Sequence, residues 1–126
     1  MKPSSVRGAL CRIALALGLA AAGLPGHAAD HAEQLALGKK LFAQAATPAC
    51  AVCHSLKDAG SEGAVGPVLD ELKPDAARVA NALRNGLGNM PAYKDTLSEA
   101  QIQALALYVS RASGAARQAA QAPYKP

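Results

Sequence analysis

The chain has 126 residues, 13 Lys+Arg against 9 Asp+Glu, and a formal net charge of +4. That length fits one small domain. One Phe, three Tyr and no Trp leave a basic chain almost nothing to stack on bases, which argues against nucleic-acid binding.

The first segment reads as a leader, not as fold. Lys2, Arg7 and Arg12 make a positive start with no acid nearby. Ile13 to Leu24 is a short apolar run, broken by Pro25-Gly26, and Gly26-His27-Ala28 offers small residues for cleavage. Residues 1–28 are therefore expected to be a signal peptide, removed after Ala28 on export to the periplasm. A membrane anchor is the competing reading, but the run falls short of the about 20 apolar residues a spanning helix needs, so no membrane span is expected after processing. Cys11 precedes the apolar run and leaves with it. Loss of the three leader bases takes the net charge from +4 to +1, which removes the remaining case for nucleic acid.

Ala29 to Gln34 reads as a polar lead-in. The first helix is expected from Leu35 to about Ala46, with Leu35, Gly38, Phe42 and Ala45 on one face. Thr47-Pro48 ends it and delivers the chain to Cys50-Ala51-Val52-Cys53-His54. This is C-x-x-C-H, the attachment signature of c-type haem. Two thiols at that spacing can each form a thioether with a haem vinyl group, and His54 then sits under the iron as proximal ligand. After processing, Cys50 and Cys53 are the only cysteines. The alternatives are a local disulfide, a thioredoxin-like pair or half a zinc site. A zinc site lacks a second Cys pair or spaced His, and the redox pair lacks a βαβ pattern.

Lys57 to Lys73 is loop-like, punctuated by Gly60, Gly63, Gly66 and Pro67. The Pro67 carbonyl is a candidate acceptor for the second N–H of His54; Gly66-Pro67 also suffices as a plain turn. A second helix is expected from near Asp75 to Asn85, with Gly86 after its end and Val79 and Leu83 inward. Gly86 to Pro91 is a turn-rich loop. It carries Met90, the only methionine left after processing. With no helix around it to supply an apolar face, Met90 is the candidate distal ligand rather than a core filler. His31 is the rival; His27 leaves with the leader. If Met90 were off the iron, the haem would be five-coordinate and open to a gas or peroxide.

The last helix is the best specified. Ser98 and Gln101 form a capping box, Leu97 and Ile102 a hydrophobic staple. Ile102, Leu105, Ala106 and Val109 then make an apolar face, with Tyr108 beside it. After Ser113-Gly114, residues 114–126 read as a flexible tail. No strand alternation appears, so the fold is expected to be all-α, with its domain over residues 29–113. The core is poor in large side chains, and the chain without haem is expected to be largely unfolded.

From about Leu35 to Ser113 these residues resemble a class I cytochrome c. The resemblance rests on Gly38 and Phe42, Cys50-Cys53-His54, Gly66-Pro67, Met90-Pro91 and the Leu105/Tyr108 helix. It implies one covalent haem c, with the first and last helices crossing closely at Gly38 while Phe42 and Tyr108 pack around the crossing. It also implies thioethers at Cys50 and Cys53, axial ligation by His54 and Met90, and the Pro67 carbonyl as partner of His54. The activity implied is single-electron transfer by a carrier that is not itself an enzyme. Residues 56–60, 66–70 and Asn85-Gly86-x-Gly88-x-Met90-Pro91 are similar to the small cytochrome subunit of bacterial sulfite dehydrogenases. That likeness implies a molybdenum sulfite-oxidising subunit as donor and a downstream cytochrome or oxidase as acceptor. Lys39, Lys40, Lys57, Lys73 and Lys94 are candidates for the docking surface, or ordinary solvated charges.

Overall fold

The computed structural model describes residues 26–121; the expected leader up to residue 25 lies outside them. Helix α1 is Gly26–Lys40 and continues as a π-helical turn over Leu41–Ala45. It begins earlier than the expected Leu35, so the lead-in at Ala29 to Gln34 is helical. The reason is local: the segment has no proline and no β-branched residue, and is rich in Ala, Leu, Lys, Glu and Gln. Short helix α2 is Cys50–Cys53.

The fold is mostly helical but not strictly all-α. Strand β1, Ser55–Leu56, pairs antiparallel with β2, Ser61–Glu62, in the register Ser55 with Glu62 and Leu56 with Ser61. Strands of two residues show no alternation, which is why the pair is invisible in the sequence. A 3₁₀ turn, Lys57–Ala59, joins them, and Gly60 closes it at φ 62°. Helix α3, Leu69–Leu72, lies inside the stretch expected to be loop, and Lys73 ends it in the left-handed region at φ 45°.

Helix α4, Ala76–Asn85, starts on Asp75, whose side chain accepts from the Arg78 N–H. Helix α5, Glu99–Ala112, starts on the complete Ser98/Gln101 capping box. Leu97 and Ile102 are both buried. Helix α6, Ala115–Gln121, occupies part of the expected tail, and Ala115 is buried. Among the described residues no helix is long and apolar enough to cross a membrane.

Helices α1 and α5 cross at Gly38. A Cβ there would lie 2.6 Å from the Tyr108 Cβ and would run into the Ala104 carbonyl. The missing side chain lets the backbones touch. Phe42 meets Tyr108 edge to face, with ring centroids 6.0 Å apart. Asp58 fastens the same crossing to the segment after His54. Its carboxylate accepts from the Tyr108 hydroxyl at 2.7 Å and from Lys39 Nζ at 3.1 Å, and Lys39 also donates to the Asp58 carbonyl at 2.7 Å. All five candidate lysines, Lys39, Lys40, Lys57, Lys73 and Lys94, are exposed, and Lys39 is the one of them tied to Asp58. With α1 and α5 locked at one side, the other elements enclose a cavity.

Candidate cofactor site

One wall begins with α2. Ala49 enters it extended, and the His54 N–H closes the turn on the Cys50 carbonyl at 2.9 Å. Cys50 is buried and Cys53 half-buried, and the two thiols are not joined. Burial pushes the Cys50 thiol up to about 11, helped by neighbouring Cys53 and opposed by a backbone hydrogen bond.

His54 leaves the helix extended and turns its ring into the cavity. Its Nδ1 lies 3.0 Å from the Pro67 carbonyl oxygen. A carbonyl can only accept, so Nδ1 carries the proton and Nε2 is left with a free lone pair. Gly66 makes the approach feasible. A Cβ on it would fall 2.7 Å from His54 Nδ1, and its own N–H donates to the Cys53 carbonyl at 2.7 Å. Gly63 makes room for the backbone of the same segment, since a Cβ there would lie 2.7 Å from the His54 backbone nitrogen.

The other wall is the arm after α4. Gly86 ends the helix at φ 71°, and Leu87 and Met90 exchange backbone hydrogen bonds, both 3.0 Å. Between them Gly88 has φ 58° while Asn89 does not turn left-handed, the pattern of a type II′ turn. Met90 comes out of that turn half-buried and packed against the core. Three residues on, buried Tyr93 ties the arm down. Its N–H donates to the Leu83 carbonyl and its hydroxyl to the Pro48 carbonyl, each at 2.7 Å. Burial first, then the two nearby cysteines, push the Tyr93 hydroxyl up to about 12.

The enclosed cavity measures about 570 Å³. Cys50, Cys53, His54, Pro67 and Met90, drawn from three separate segments, all line it. Phe42, Leu83, Leu105 and Val109 supply apolar wall. The rival His31 does not line it and sits exposed on α1. Sequence reasoning missed Tyr93, Asn81, Asn89 and Arg78, which also line it. Arg78 is the one cation of the described lining, and the lining holds no carboxylate. Only Tyr93 had a usable signal, as a large residue just past Met90-Pro91.

The family model described as cytochrome c oxidase, cbb3-type, subunit III matches residues 33–109. Among solved structures, the crystal structure of the c-type cytochrome SorU from Sinorhizobium meliloti is similar at 52% identity. That match covers 66% of this chain and 94% of that one, with a TM-score of 0.64. No curated protein sequence matches.

Proposed function

The chain belongs to the cytochrome c family that these matches describe, and on that premise we propose that it is an exported electron carrier holding one haem c through Cys50 and Cys53, between His54 and Met90. The observation that carries this reading is the convergence of two unjoined thiols, an imidazole with a free Nε2 and a thioether on one apolar cavity. Its about 570 Å³ falls within the about 300–1,000 Å³ range of small-molecule sites. Haem held there supplies a ferric/ferrous couple that takes one electron from a donor and gives it to an acceptor.

The protein's own groups set how easily that happens. The Pro67 carbonyl holds the His54 ring in one orientation and raises its basicity. The Met90 thioether favours the reduced metal. Phe42, Leu83, Leu105 and Val109 keep water from the site, which further disfavours the extra positive charge of the oxidised state. Arg78 is a cation free to face a haem carboxylate. With donors on both sides no position is left for a substrate. Against the five-coordinate alternative stands Met90 itself, held on a two-residue turn whose arm is tied down by Tyr93.

In the oxidised protein a far-red sulfur-to-iron band is expected, lost in Met90→Ala. Its absence from the unmutated protein defeats the Met90 assignment, and tight carbon monoxide binding to the reduced native protein would favour the five-coordinate reading.

The same proposal extends to partners. The loops around Gly66-Pro67 and Met90-Pro91 support a molybdenum-containing sulfite-oxidising subunit as donor, and a cytochrome or oxidase as acceptor. Docking at the cavity mouth is supported by Val65, Leu72 and Leu87, which line it yet are 75%, 39% and 71% exposed. On a sizing column of native periplasmic extract, haem co-eluting with a larger molybdenum protein supports this partnership. Haem eluting alone at the size of a small globule points to a diffusible carrier.

A further inference from the structure

The Met90 arm runs from Gly86 to Leu97 between α4 and α5. Its backbone bonds are either internal or lead back to α4, through Gly86 to Ala82 and Tyr93 to Leu83. Among the described residues, the Tyr93 hydroxyl makes the one hydrogen bond that joins this arm to the opposite, cysteine-bearing rim. Its acceptor, the Pro48 carbonyl, lies two residues before Cys50, and 45 residues of chain separate donor from acceptor. Tyr93 is 4% exposed, whereas Leu87 at the tip of the arm is 71% exposed. An arm with an exposed tip and few outside bonds opens at small cost. Met90 and Leu97 add apolar packing, but the arm's hydrogen bonding to the opposite rim is concentrated at Tyr93.

We infer that Tyr93 is a positioning residue that keeps the Met90 arm shut against the Cys50 rim, so that an outside ligand reaches the position opposite His54 only when the Tyr93–Pro48 bond opens. This rests on the reading that Met90 faces the haem iron. The apparent affinity for such a ligand is scaled by the fraction of molecules with the arm open. Loss of one buried hydrogen bond raises that fraction about tenfold.

The test uses oxidised holoprotein with imidazole as probe, titrated by absorbance, in wild type, Tyr93→Phe and Ser98→Ala. The Ser98 variant loosens the helix that follows the arm but leaves the Tyr93–Pro48 bond in place. Guanidinium unfolding followed by circular dichroism reports how much stability each variant loses. The expected result is imidazole binding about tenfold tighter in Tyr93→Phe, with the far-red band intact before imidazole is added. Ser98→Ala stays near the wild-type affinity. Equal affinities in wild type and Tyr93→Phe, with the band present in both, overturn the role of Tyr93 and leave Met90 ligation standing. An equal gain in Ser98→Ala overturns it too, as general loosening. A wild type without the band removes the Met90 reading and this inference together.

Discussion

At the scale of single residues, the imidazole of His54 is held by two adjacent residues. Pro67 supplies the acceptor that fixes the tautomer, and Gly66 supplies the absence of a side chain that lets the ring lie there. Gly66→Ala puts a methyl 2.7 Å from Nδ1, closer than any real contact, so the ring must turn away from Pro67. The expected cost is about 1–3 kcal/mol of holoprotein stability, the range for overpacking a tight site, read by guanidinium unfolding. The reduction potential should rise, because an imidazole that loses its acceptor is a weaker donor to oxidised iron. A potential unchanged by voltammetry would mean that Pro67 does not tune His54. These residues could be read from sequence because their chemistry is tied to short spacing: Cys50, Cys53 and His54 within one turn, Gly66 beside Pro67, Met90 beside Pro91. Arg78 could not, and for Tyr93 only its place just past Met90-Pro91 is legible, not its partner. Their neighbours lie in other segments, and no local pattern carries a bond from residue 93 to residue 48.

At the scale of elements, legibility followed length and caps. Helix α5 has a capping box, a staple and an apolar face, and it starts on the residue its cap dictates. Helix α3 and the β1–β2 pair are four and two residues per element, too short for any period, and are made by contact with their surroundings. The start of α1 is not legible because its composition is polar and unpatterned, and helix propensity alone carries it. Caps give the sharpest predictions here. Ser98→Ala should cost about 1 kcal/mol, and Asp75→Ala a similar amount, both by guanidinium unfolding of holoprotein. Helices α4 and α5 are also clasped by Arg84, which donates to both carboxylate oxygens of Glu99 while Gln103 donates to one. Arg84 first, then Gln103, hold the Glu99 carboxyl down from 4.5 to about 2. A depressed acid stabilises the fold above its unfolded value and loses that contribution as pH falls through its folded value. The clasp therefore works above about pH 4.5 and fades toward pH 2. Glu99→Gln should flatten the fall in unfolding midpoint across that window; an unchanged slope would show that the exposed pair contributes nothing.

At the scale of the whole molecule, the question is what the helices lean on. Helices α1 and α5 lean on each other, through Gly38, the Phe42–Tyr108 pair and the Asp58 junction. The rest do not. Segment Cys50–His54, helix α4 and the Met90 arm each present their inner side to the cavity, and Phe42, Leu83, Leu105 and Val109 belong both to the core and to its wall. An apolar space of about 570 Å³ left unfilled deprives these walls of packing partners along their inner side. The chain cannot offset this from elsewhere, since Phe42 is its single phenylalanine and it has no tryptophan. Without a group filling the cavity, the walls have no reason to stand apart around nothing. The double variant Cys50→Ala/Cys53→Ala, exported and purified without haem, should therefore lose most of its far-ultraviolet helical signal. What remains should come from α1 and α5, whose contact at Gly38 lies against Ala104 and Tyr108, neither of which lines the cavity. A near-native spectrum from that variant would mean that the helices hold one another, and that the fold precedes its cofactor rather than closing on it.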